Sequence, residues 1–397
     1  MNISESEARC FLQLTLHFGK SDITSLLTRF TTASDALLAP EHELRGILTD
    51  LKIDALIAAR DSSDVRAPLA SLTAAGIGYC PSGHPGYPNR LSTIPDAPAA
   101  LFYRGKLPDV HRPSVAIIGA RNCSGYGRQM AREFSRAIAE AGIQVISGMA
   151  LGIDGIAQQS ALDVHGETYG VLGCGVDICY PPANHELYDT LCDKCGVLSE
   201  YPPGMKPNAR LFPARNRIIS GLSDAVLVIE ARERSGTLIT VNMALEQGRD
   251  VYALPGRINE SLSYGCNMLI HDGATPLLRP DEFVDEFFSR LDNSELYRDL
   301  RIANRGTSTH QYYNSPVADD MPNSLFHMQY NNIFLRPDEK AIMSVLDYTP
   351  KTTSEIFYDI SDKCDMSLPK LMQTLTEMTI RHKIRCIDGC NYYVEKK

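Results

Sequence analysis

The stretch "VAIIGARNCSGYGRQMA", Val115–Ala131, decides how the chain is read. A β-branched apolar run leads into a turn with glycines at 119, 125 and 127, then into a helix-like segment. This is nearly a dinucleotide fingerprint. Such a loop needs G-x-G-x-x-G between strand and helix, with an acid about 20 residues on for the ribose. Here the glycine spacings are six and two, and the next strand ends at Ser147–Gly148 without an acid. The G-K-[ST] of a P-loop is missing too, so no cofactor is expected. The elements of anion binding remain. Glycines let amides approach an anion, a helix N-terminus adds partial positive charge, and Arg121 can fork two hydrogen bonds to a phosphate. The bland alternative is a plain strand-to-helix turn.

Outward from this stretch the pattern repeats. "VAIIG", "IQVISG", "TYGVLG", "GVLSE", "AVLVIEA" and "DVYALPG" alternate mostly with helix-length segments, including 125–141, 153–163, 184–194 and 237–247. That alternation predicts an α/β fold with a doubly wound parallel sheet and right-handed crossovers over residues 114–290. Residues 1–75 carry apolar residues at three- and four-residue spacing and predict a small helical domain. Residues 76–113 are dense in Pro and Gly and read as a connector. Residues 291–335 are polar and aperiodic and read as a linker. In 336–397, Ile342, Val345 and Leu346 mark one helix, and Leu371, Leu375 and Met378 another. "KIRCIDGCNYYV" then predicts a hairpin turning at Asp388–Gly389, which makes a winged-helix-like unit.

The 397 residues are 44% hydrophobic, enough for a sizeable core, and no apolar run is long enough to span a membrane. The N-terminus lacks the apolar core of a signal peptide, and the eleven scattered cysteines read as reduced thiols, so a cytoplasmic protein is expected. Net charge is −9, which gives no global attraction to nucleic acid. Positive charge is concentrated locally. Arg104–Arg136 holds seven Lys or Arg against Asp109 and Glu133, and Glu200–Arg217 holds four against one acid. The last unit has nine basic and ten acidic residues from Pro337 to Lys397 and carries no such excess.

Three further segments could carry chemistry. "SGMALGID", Ser147–Asp154, is a second glycine-rich turn opening a helix at the same carboxyl edge of the sheet. Two anion-friendly helix starts side by side suit successive phosphates, with Gly148 and Gly152 lining the path and Asp154 as a helix-start residue. "SEYPPGMKPNARLFPARNRIISG", Ser199–Gly221, interleaves Lys206, Arg210, Arg215, Asn216 and Arg217 with Tyr201 and Phe212. Basic residues among aromatics suit a single nucleic-acid strand. Arg215 and Arg217 could instead pair with internal carboxylates such as Glu200 or Glu230. Ser235, Gly236 and Thr237 form a third turn that caps a helix or binds an anion. Cys192 and Cys195 form one C-x-x-C, with Cys174 and Cys179 upstream, but without paired short spacings no metal is expected. No H-E-x-x-H, G-x-S-x-G or paired-carboxylate signature appears, so no catalytic residues are assigned.

"GARNCSGYG", "SGMALGIDGIAQQSAL", "VLGCGVDICYPPANHELY", "SEYPPG", "FPARNRIISGLSDAVLVIEA", "SGTLIT" and "ALPG" followed by "GCNMLIHDGA" occur in that order. The set resembles the DNA-processing protein A (Smf) family, densely over 80–278 and more loosely at both ends. The resemblance implies an extended Rossmann-like domain with a SAM- or helix-hairpin-like N-terminal domain. It implies single-stranded DNA binding without marked sequence preference, protection of incoming strands in natural transformation, and help in loading the RecA recombinase. It also implies a homodimer through the Rossmann domain and no enzymatic activity. By motif, Arg121 would contact the DNA backbone, and the Gly148 and Gly152 amides would line the same groove. The family usually places Ser where this chain has Ala120. It also places a basic residue where this chain has Ala209, so either Lys206 or Arg210 takes over that contact. The rival reading is a nucleotide-processing hydrolase of the lysine-decarboxylase-like Rossmann family. That family's P-G-G-x-G-T-x-x-E motif is only half met: Gly236 and Thr237 are present without Pro-Gly-Gly, and Glu246 lies six residues beyond the acid's place. A third reading is an interaction scaffold using the winged unit.

Overall fold

A computed structural model describes residues 3–16, 20–291, 337–346, 350–360, 366–380, 384–387 and 391–393. The chain divides into two compact units, Met1–Thr309 and His310–Lys397.

The first unit opens with six helices: α1 (Glu5–Leu14), α2 (Lys20–Arg29), α3 (Ala33–Leu38), α4 (Glu41–Leu44), α5 (Asp50–Ser62) and α6 (Ala67–Ala74). Ser4 and Glu7 form a capping box that starts α1. Phe11, Leu12, Leu26, Leu37, Leu44, Ile53 and Leu56 close a small core between these helices. Long-range hydrogen bonds fasten this bundle to the segment after α6. Tyr79 Oη donates to Gln13 Oε1 at 2.9 Å, and Arg9 donates to the Ser82 carbonyl at 2.6 Å.

Strand β1 (Gly78–Pro81), helix α7 (Asn89–Ser92) and strand β2 (Ala100–Gly105) come next. The segment 76–113 is therefore not a bare connector. β1 pairs antiparallel with β2, Gly78 opposite Tyr103, and β2 pairs antiparallel with β6 (Gly196–Ser199), Phe102 opposite Ser199. Proline and glycine density hid two short strands, which sit at the sheet margin where Pro81 interrupts nothing.

The remaining elements are β3 (Ser114–Ile118), α8 (Gly125–Glu140), β4 (Gln144–Ser147), α9 (Ile153–Asp163), β5 (Thr168–Val171), α10 (His185–Lys194), β6, α11 (Leu211–Gly221), β7 (Ala225–Val228), α12 (Gly236–Glu246), β8 (Asp250–Ala253), α13 (Tyr264–His271), β9 (Thr275–Pro276) and α14 (Pro280–Leu291). The sheet order is β1-β2-β6-β5-β4-β3-β7-β8-β9, parallel from β6 to β9. Alternate residues along each strand enter different cores. Val115, Ile117, Ala225 and Leu227 join α8, α9 and α14 on one face. Ala116, Ile118, Val226 and Val228 join α7, α10, α11, α12 and α13 on the other. Buried on both faces, these strands read as continuous apolar runs. Because β4, β5 and β6 lie on one side of β3 and β7, β8 and β9 on the other, winding reverses between β3 and β7. That reversal leaves a crevice at their carboxyl ends. No helix among the described residues is long and apolar enough to cross a membrane.

In the second unit, helices Pro337–Met343, Thr353–Ile360 and Leu368–Ile380 pack around Ile342, Leu346, Ile356, Leu371, Leu375 and Met378. A three-stranded antiparallel sheet completes it, with Cys386 opposite Tyr392. The turn expected at Asp388–Gly389 and most of the expected linker lie outside the described residues.

Phe283 on α14 is 3% exposed and meets Tyr252 edge-on at 5.0 Å, Phe287 at 5.6 Å and Phe134 at 6.5 Å. Phe283→Ala should destabilise the first unit by about 3–5 kcal/mol, read by chemical denaturation.

Candidate nucleic-acid interface

Leaving β3, the chain crosses Gly119–Ser124 into α8. Ser124 caps the helix: its Oγ accepts from the Gly127 amide at 3.0 Å. Glu230, at the end of β7 and 2% exposed, accepts from the Ser124 amide at 3.0 Å and from the Ser124 hydroxyl. A Cβ on Gly127 would collide with that carboxylate. The start of α8 thus already holds an anion, supplied by the chain. Of the three glycines expected to contact phosphate, Gly127 is thereby covered, while Gly119 lines the cleft at the β3/β7 reversal. Gly127 is buried under Glu230. Gly119 lets α9 pack, since a Cβ there would lie 2.7 Å from Ile153. Gly125 alone of the three is exposed.

The second turn follows the same logic. Asp154, in the first turn of α9 and 7% exposed, accepts from the Gly148 amide at 3.1 Å. The Met149 amide donates to Gln158 Oε1 at 3.2 Å, and Asn184 Nδ2 to the Met149 carbonyl at 2.8 Å. Ser147 Oγ donates to the Ile117 carbonyl at 2.6 Å. Ser147 and the Gly148 amide therefore serve the fold rather than a ligand. Gly152 has φ +77°, and a Cβ there would strike the carbonyls of Ala120 and Arg121, so the two loops meet backbone to backbone. Burial pushes the Asp154 carboxyl above its ordinary range, while the Arg215 charge and the amides of Gly148 and Ala150 pull it down.

Arg215 is 4% exposed and donates from Nη1 to the Gly148 carbonyl at 2.8 Å and to the Val171 carbonyl. It ties the ends of β4 and β5 together. Burial lowers its pKa to about 10, and it stays cationic at neutral pH. Arg217 Nη1 and Nη2 donate to Glu200 at 2.7 and 2.6 Å, and Nε donates to the Asp96 carbonyl at 2.9 Å. Internal pairing with Glu200 is what this arginine does, and Glu230 serves the Ser124 turn. Neither Arg215 nor Arg217 offers a free cation to a phosphate. Asn216 accepts from Arg215 Nε at 3.2 Å and lines the crevice.

What reaches solvent is a cleft of about 810 Å³ at the β3/β7 reversal. Arg121, Asn122, Tyr180, Phe212, Asn216 and Arg232 are among its lining residues. Arg121 is exposed and stands 6.0 Å over the Phe212 ring, which also packs 5.3 Å from Tyr180. Lys206 and Arg210 are exposed but do not line the cleft; Pro207 and Ala209 do. The third turn stays open. Ser235 Oγ accepts the Thr237 amide at 3.0 Å, and a Cβ on Gly236 would meet nothing within 4 Å. Sequence reasoning missed Tyr180 and Arg232, which carry no local signal. Cys174 and Cys195 are buried in the apolar core. Among the described residues no group of three or more His, Cys, Asp or Glu could hold a metal ion.

Glu230→Ala should destabilise the unit by about 1–3 kcal/mol, because the Ser124 amide loses its partner. Millimolar phosphate should recover part of the melting temperature of the variant and leave the parent chain unmoved.

A family model described as "DNA recombination-mediator protein A" matches residues 79–288. The DNA processing protein DprA of Streptococcus pneumoniae is 45% identical over 201 residues, 51% of this chain and 71% of that protein. Protein Smf of Synechocystis is 44% identical over 206 residues, 50% of this chain. That match spans about half of the Synechocystis protein, 51%. The X-ray structure of DNA processing protein A from Streptococcus pneumoniae superimposes with a TM-score of 0.62 at 35% identity, covering 72% of this chain and 99% of that one. With more than half of its length inside one family model, the chain belongs to the DNA recombination-mediator protein A family.

Proposed function

We propose that the β3/β7 cleft binds single-stranded DNA with little sequence preference. On this reading the protein is a non-enzymatic mediator that protects incoming strands and helps load the RecA recombinase in transformation and recombination. One observation carries the reading. Arg121 has no ion-pair partner among the described residues, and it stands exposed over an aromatic ring in a cleft whose one lining carboxylate, Asp154, is engaged inside. A cation beside flat apolar faces suits a phosphate with its neighbouring base. Gly236, Thr237 and Asn216 add polar backbone and amide groups along the same walls, and Gly152 lines the adjoining groove. Lys206 and Arg210 sit outside the cleft and serve the approach of the strand.

Self-association through the Rossmann domain is part of the proposal. Leu245, Tyr264 and Met268, on α12 and α13, are 58, 45 and 40% exposed. Large apolar side chains in that density suit a protein–protein contact.

Arg121→Ala should weaken binding to oligonucleotides of any sequence. The slope of log affinity against log salt should become shallower by roughly 0.7 for the phosphate lost. Fluorescence anisotropy at two salt concentrations reads both; unchanged binding by Arg121→Ala and Arg210→Ala combined would remove this site. Leu245→Glu with Met268→Glu should turn a dimer into a monomer by sedimentation; a dimer that persists assigns the contact elsewhere.

A further inference from the structure

A second groove, of about 570 Å³, runs between α8 and α9 and shares Arg121 and Asn122 with the cleft. Arg128 and Arg132 line it, and Arg136 is exposed one turn further along α8. Positions four apart on a helix share a face, so these three charges form one stripe. No ion pair engages Arg128, Arg132 or Arg136 among the described residues. The arrangement is locally unfavourable in two ways. Like charges at four-residue spacing repel, and Arg128 sits in the first turn of α8, where a cation opposes the helix dipole and the helix's own sequence supplies no acid. The lining holds two acids against three arginines, and one of them, Asp163, accepts from Gln159 at 2.9 Å. Cys123 also lines the groove; burial raises its thiol pKa, Arg128 and Arg132 pull it down, and Glu230 pushes it up.

We infer that this groove is the continuation of the DNA path: the strand leaving the β3/β7 cleft passes Arg121 and lays its flanking phosphates along Arg128, Arg132 and Arg136. This rests on the single-strand reading of the cleft. Arg121, common to both grooves, is the point where the strand turns from one to the other. In the cleft, aromatic faces are available for bases. Along α8 the lining holds arginines and amides but no aromatic ring, so the contact there is with the backbone and insensitive to sequence.

The test is a length series with the full chain. Arg128→Ala with Arg132→Ala should bind an oligonucleotide of roughly 4 nucleotides like the parent chain, since the cleft alone holds it. On one of roughly 16 nucleotides the double variant should lose affinity. Its salt slope should be shallower by roughly 1.4. Arg128→Lys with Arg132→Lys should retain the parent slope, which separates charge from folding. A long oligonucleotide bound by the alanine variant with parental affinity and slope overturns the groove assignment and leaves the cleft reading standing. A parent chain that binds neither length overturns both.

Discussion

Asp154 and Arg215 meet at Gly148, and the carboxyl edge of the sheet depends on that meeting. Asp154 is 7% and Arg215 4% exposed, one at the start of α9 and the other within α11. Each charge is buried at a cost that only its partners offset. The carboxylate takes the Gly148 amide, and the guanidinium takes the Gly148 and Val171 carbonyls. The loop between them keeps its path because nearly every backbone group in it is spoken for. Removing either partner would leave the other charge alone in a site of low dielectric.

The same device fills the helix starts at both glycine-rich turns. A helix N-terminus attracts an anion, and in this chain Glu230 and Asp154 are the anions. With those positions filled internally, an external phosphate has to be met by side chains that project beyond them. On the proposed reading Arg121 is such a side chain, and a loop that fails the dinucleotide pattern can still face a polyanion. The exchange also favours a strand over a single nucleotide. A nucleotide needs one deep, exact phosphate site, whereas a strand needs several shallow ones.

The parallel sheet was legible because buried strands are apolar without interruption, and α8 and α9 because their apolar residues recur at helical spacing. Observed α9, Ile153–Asp163, coincides with the segment read from periodicity. Helix α11 was not legible. Its first turn contains Pro213, and Arg215 and Arg217 break the apolar spacing, so it read as a basic segment among aromatics rather than as a helix. Strands β1 and β2 were hidden by Pro and Gly, and β9 by its two-residue length. Within the site, four cations at 206, 210, 215 and 217 look alike in sequence. Which of them faces solvent is set by Glu200, Asp96 and the β4 and β5 carbonyls, none of which local pattern can place. Glu230 reaches Ser124 across 106 positions of sequence, a relation that periodicity cannot express.

The backbone contact at Gly152 has one more consequence. With φ +77° and the Ala120 and Arg121 carbonyls against its α-carbon, it leaves no space between the two loops that frame the site. Neither loop can lengthen or shorten without dragging the other, so for insertion and deletion they form a single unit. The Ser235–Thr237 turn on the opposite wall is under no such restraint, since Gly236 faces open space. Drift in loop length, whether natural or engineered, is therefore channelled to one wall. The mouth of the cleft can be reshaped from the α12 side while Arg121 holds its station.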